Sequence, residues 1–84
     1  MTTYPLEMIE WYDAESEVTW ATEAEMDEWC KQLSMATEVG WVYEEDKDII
    51  VLVTSFFGDG TFGNRTKIPK GMVKSRKRLC LKEK

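Results

Sequence analysis

Apolar and polar positions alternate along the chain in two distinct periods. From Leu6 to Asp13, apolar residues including Trp11 and Tyr12 are interleaved with Glu7 and Glu10, which predicts a first strand. A helix comes next. Thr22, followed three residues later by Glu25, forms a capping box, and Glu23, Glu25 and Asp27 crowd the positive end of the helix dipole. Met26, Trp29, Cys30 and Leu33 then recur at i, i+3, i+4 and i+7 as one apolar stripe. Asp27 and Lys31 are spaced to pair on the wet side. Such a stripe has to pack on a sheet or on another subunit, and Trp29 is expected in the core.

From residue 38 the period becomes two. Val39, Trp41 and Tyr43 share one face of a strand, and Gly40, Val42 and Glu44 the other. A polar turn at Glu45-Asp46-Lys47-Asp48 leads into Ile49–Phe57, which is apolar on both faces and therefore reads as a central or covered strand. Gly58-Asp59-Gly60 supplies a tight hairpin, and Thr61 to Ile68 the return strand, with Gly63 at a bulge or a close backbone contact. Pro69-Lys70-Gly71 breaks the ladder with one helical turn before a last strand, Val73 to Leu81. The fold class is α+β, mostly β. The expected architecture is a small, strongly bent five-stranded antiparallel barrel, Sm-like or Src-homology-type, with one helix between strands one and two.

Eighty-four residues allow one domain, 1–84. The absence of histidine removes the commonest general base and metal ligand, and two cysteines build neither a disulfide scaffold nor a four-ligand zinc site. Ser16, Ser55 and Ser75 have no histidine to activate them, and the carboxylates lack the spacing of a calcium loop. The glycine-rich Gly58–Gly63 stretch lacks the lysine and following helix of a phosphate loop. No enzyme, metal or cofactor is expected. No apolar run approaches the ~18 residues of a membrane span, so the expected setting is cytoplasmic with no membrane partner.

Charge sharpens the picture. Residues 1–63 hold 15 of the 16 acids and only Lys31 and Lys47 as bases, whereas residues 64–84 hold nine bases against Glu83. In a strand from Val73, Lys74, Arg76 and Arg78 would point to one face at two-residue steps, over roughly 13 Å. Lys67 and Lys70 would extend that stripe. It suits phosphates or a row of carboxylates on a partner, or the protection of an edge strand from aggregation. Trp20, Phe56 and Phe57 are the candidate aromatic contacts beside it, with a packed cluster under the loop the simpler expectation for Trp20.

Trp11-Tyr12-Asp13-Ala14-Glu15-Ser16, Trp20, Val39-Gly40-Trp41, Glu44, Asp46, Ile50-Val51-Leu52 and Ser55 make up the first part of a pattern that spans the chain. Gly60, Gly63, Ile68-Pro69-Lys70-Gly71-Met72-Val73, Ser75 and Arg78-Leu79 complete it. Over nearly its whole length the chain resembles a family of small, uncharacterised proteins recurrent in tailed-phage genomes. The resemblance implies an accessory role in a bacterial host's cytoplasm: host takeover, evasion of anti-phage defence, or a minor virion or assembly part. It carries over no site residue. The leading expectation is a non-catalytic binding protein that sequesters a host protein or a small nucleotide signal. The alternative is an Sm-like ring that binds nucleic acid. Opposite charge in the two halves, and a strand apolar on both faces, also predict a homo-oligomer.

Overall fold

The computed structural model describes residues 4–80. Five strands form a single antiparallel sheet: β1 (Leu6–Asp13), β2 (Ser34–Glu45), β3 (Ile49–Phe56), β4 (Phe62–Pro69) and β5 (Val73–Leu79), in the spatial order β4-β3-β2-β1-β5. A 3-10 turn, Lys70–Met72, joins β4 to β5, as the Pro-Lys-Gly break implies. One short helix, α1 (Glu23–Trp29), lies between β1 and β2 in sequence.

β2 organises the sheet. Residues 34–41 pair with β1 and residues 41–45 with β3, so Trp41 is opposite Leu6 on one side and Val53 on the other. The register slips between Val42 and Glu44, a bulge that adds local bend and twist. Gly40 lies just before it. A Cβ there would stand 3.0 Å from the Val53 carbonyl oxygen and 3.3 Å from Thr54 Cγ2, so only hydrogen fits between the two strands. Inside the bend Ile9, Val42, Ile50, Leu52 and Ile68 form the core, with Trp11 and Val73 packed against it.

The β2–β3 turn is set by Asp46, whose Oδ1 accepts the backbone N–H groups of Asp48 (2.8 Å) and Ile49 (2.9 Å). Lys70 N–H donates to Asp48 C=O at 2.7 Å and ties the 3-10 turn to it. The glycine hairpin forms as the pattern implies: Gly60 has φ +90°, and Asp59 Oδ1 accepts from Thr61 N–H and Oγ1. Gly63 is a close contact without a register slip, because a Cβ would meet Ser55 Oγ at 3.2 Å.

Three expectations are corrected. The sheet is open: its outer strands β4 and β5 do not pair, so the barrel is incomplete. β2 begins at Ser34, because Ser34–Thr37 extends the ladder opposite Glu10–Asp13. The helix does not pack on the sheet. It has its capping box but spans only seven residues, with Cys30 as C-cap and Leu33 beyond its end. Every residue from 13 to 35 is exposed, and Trp29, expected in the core, is 46% exposed. The early helix end also sets Lys31 against Glu28 at 2.9 Å rather than against Asp27. Leu81, expected to finish the last strand, lies outside the described residues.

The chain is therefore elongated, 54 × 28 × 26 Å, with residues 14–33 as a projecting arm. Its Cα radius of gyration is 16.9 Å. A compact chain of this length would have roughly 12 Å.

Two outcomes follow in urea denaturation. Gly40→Ala is expected to cost about 1–3 kcal/mol, since the new methyl meets backbone that cannot yield cheaply. Trp29→Ala is expected to shift stability by under ~0.5 kcal/mol, the scale of an exposed substitution.

Candidate functional site

The cations of the last third of the chain fall into two groups. Lys70 and Arg76 belong to an internal clasp. Arg76 donates from Nε to Glu7 Oε1 (2.8 Å) and from Nη2 to Glu7 Oε2 (3.0 Å). It also donates from Nη1 and Nη2 to the two oxygens of Glu45, both at 3.0 Å. Lys70 Nζ lies 2.8 Å from Glu45 Oε2. Glu7 is only 7% exposed, and this guanidinium pairs with both of its carboxylate oxygens. The clasp joins β1, the far end of β2, the 3-10 turn and β5 with side chains, where a closed barrel would use a backbone ladder.

The hydrogen bonds from Arg76 and Lys70 hold the Glu45 carboxyl at about 2, well below its ordinary 4.5. The same bonds, with Glu45 first and Glu7 second, keep Arg76 charged well beyond its ordinary range.

The stripe predicted from β5 is thus not a uniform anion surface. Arg76 and Arg78 share a face, opposite Ile9 and Glu7 of β1, but Arg76 is neutralised there. The register slips between Glu10 and Trp11, pairing Glu10 with Ser75 and Trp11 with Val73. Lys74 has no partner on β1, which breaks the strict two-residue stride. Among the described residues, Arg65, Lys67, Lys74, Lys77 and Arg78 make no ion pair.

Lys67 belongs to a different arrangement, on the outer face of β2, β3 and β4. Arg65 and Lys67 sit two residues apart on β4, opposite Val53 and Val51, and Glu44 is the other partner of Val51. Tyr43, Glu44, Val51, Arg65 and Lys67 line one shallow cleft. The Tyr43 ring is fixed by its neighbours: its centroid lies 5.0 Å from that of Phe62 and 5.3 Å from that of Tyr4. The same cluster holds Phe56, 5.0 Å from Trp41 and 5.7 Å from Phe62, so that of the Phe56-Phe57 pair it is Phe57 that faces outward. Phe57 is exposed. Trp20 is fully exposed and, with Met26 and Trp29, lines a groove on the arm rather than a cluster under the loop.

The sequence reading missed Arg65, Tyr43, Glu44 and Val51 as a group. Their signal was available: Arg65 and Lys67 alternate on the return strand beside Val51 and Val53, which the hairpin sets opposite them. Chemically the cleft offers two cations, an aromatic face, an apolar floor and one carboxylate acceptor. Among the described residues no group of three or more Asp, Glu or Cys side chains is placed to hold a metal ion, and no helix is long and apolar enough to cross a membrane. No family model, curated protein or solved structure matches the chain.

Arg76→Ala is expected to cost about 2–3 kcal/mol in denaturant melts, since it leaves the buried Glu7 charge unpaired; partial exposure of Arg76 keeps the loss below that of a fully buried pair. Lys74→Gln, at an exposed position, should change stability by under ~0.5 kcal/mol. The lowered Glu45 pKa contributes stability that is fully present above pH 4.5 and is lost as pH falls towards about 2. The melting temperature of the parent should therefore drop more steeply through that window than that of Glu45→Gln.

Proposed function

We propose that this chain is a non-catalytic, phage-encoded accessory protein that sequesters a compact anionic ligand, a small nucleotide, in the cleft between β2, β3 and β4. The observation that carries this reading is the pairing of two uncommitted cations, Arg65 and Lys67, with the fixed ring of Tyr43. A phosphate group takes the two cations, with the guanidinium able to bind it through two N–H groups. A planar base lies on Tyr43. Glu44 accepts from an amino or hydroxyl group, which a bare inorganic anion lacks.

The whole-chain charge of −5 favours a compact anion over a long one. An extended nucleic acid would run from the cleft across acidic surface and be repelled, whereas a mononucleotide meets only the local field. The resemblance to small phage proteins supplies the biological setting: removal of a nucleotide from use by a host defence. It supplies no residue of the site.

Equilibrium dialysis with ADP and with inorganic pyrophosphate tests the reading. ADP should bind and weaken as salt rises, and the double variant Arg65→Gln/Lys67→Gln should lose at least about tenfold, one charge-assisted contact's worth or more. Tyr43→Leu should abolish the preference for ADP over pyrophosphate. A double variant that binds ADP as tightly as the parent contradicts the assignment.

A further inference from the structure

The arm has a composition that the sheet does not use. Residues 13–33 carry seven acids against Lys31 alone, together with exposed Val18, Trp20, Met26, Trp29 and Leu33. A seven-residue helix is far below the ~12–15 residues at which isolated helices become even marginal in water. Its capping box stabilises one end, and tertiary packing of the apolar side normally supplies the rest. Here no α1 residue is buried. The arm is nevertheless rooted firmly: Asp13 pairs with Ser34 at the end of the β1–β2 ladder, and Ser34 N–H donates to Glu15 Oε2 at 2.8 Å. The root holds, while Met26 and Trp29 on the apolar side of the helix stay 45% and 46% exposed, covered only in part by the arm's own residues.

The complementary surface is on the sheet. Val39, Met8 and Lys77 lie side by side across β2, β1 and β5, and Met35 lies opposite Tyr12. Met35, near the end of the β1–β2 ladder, and Val39, in its middle, are 41% and 47% exposed. Glu10 is also on this face, where it accepts the Ser75 hydroxyl at 2.7 Å. β5 forms the sheet edge beside it and presents Lys74 and Lys77 without ion pairs among the described residues. An apolar strip bordered by a cationic edge is the counterpart of an apolar stripe flanked by Glu23, Glu25, Asp27 and Glu28.

We propose that the arm of one copy docks on the β2-β1-β5 outer face of a second copy, with Met26 and Trp29 against Met35, Val39 and Met8, and the helix carboxylates against the β5 cations. Donor and acceptor patches differ, so one arm-to-face contact leaves a free face on one copy and a free arm on the other; these close on each other in a two-fold arm exchange or on further copies in a ring or chain. The desolvated aromatics supply the affinity, and the opposite charges steer the encounter and make it salt-sensitive. The interface leaves the cleft of Arg65 and Lys67 free, so its test does not depend on ligand binding.

Sedimentation velocity on two variants decides the matter. Met26→Ser/Trp29→Ser disables the arm, and Lys74→Glu/Lys77→Glu disables the face; both sets of side chains are exposed, so both variants should melt like the parent. The parent should associate with rising concentration and less so at high salt, and each variant alone should do so at least tenfold more weakly. Mixed together, the two should form a 1:1 complex that grows no further, because one intact arm meets one intact face. A parent that stays monomeric into the millimolar range overturns the proposal, including the case in which Trp29 is shielded from acrylamide by its own sheet. So does a pair of folded variants that fail to complement.

Discussion

The bend in β2 is the constraint on which the rest of the structure depends. One strand of twelve residues serves two neighbours, β1 along its first two-thirds and β3 along its last third, and Trp41 takes part in both ladders. Such a strand must turn sharply while its neighbours stay in contact. Gly40 lets β3 approach where any side chain would strike the Val53 carbonyl, and the bulge at Tyr43 completes the turn. The core is the concave side of this bend. The bend also carries Glu45 to within reach of β5 and leaves Tyr43 beside β4.

Two uses of positive charge follow from that geometry. Where the end of β2 meets the 3-10 turn and β5, two carboxylates and two cations neutralise one another and hold the sheet's curvature. On the convex side the cations of β4 line a cleft with Tyr43, Glu44 and Val51 and make no ion pair among the described residues. The polarity of the chain, acidic first and basic last, is thus only partly satisfied within a single molecule. What remains is an acidic, aromatic arm and a set of free cations, both open to other molecules.

Local features of the fold were legible in the residues. The glycine hairpin, the capping box, the apolar alternation of Ile49–Phe57 and the break at Pro69-Lys70-Gly71 each rest on chemistry within a few positions, and each is where the pattern puts it. Features set by distant residues were not. The Met26–Trp29 stripe reads the same whether it packs on its own sheet or waits for another surface. Arg76 looked free because its partners lie 69 and 31 residues away. Lys74 lost its stride to a register slip that depends on β1. The cleft was missed for the same reason, since Tyr43 and Glu44 reach Arg65 and Lys67 only across β3.

The most direct test of the division between structural and free cations is a two-dimensional nitrogen–proton NMR titration with ADP that follows both backbone amides and arginine Nε–H groups. The predicted result is a set of shifts confined to residues around 43, 44, 51, 65 and 67, with Arg65 Nε–H moving and Arg76 Nε–H unchanged in its bond to Glu7. Shifts centred on Arg76 and Lys70, with the β4 signals still, would contradict it and return the anion site to the β5 stripe.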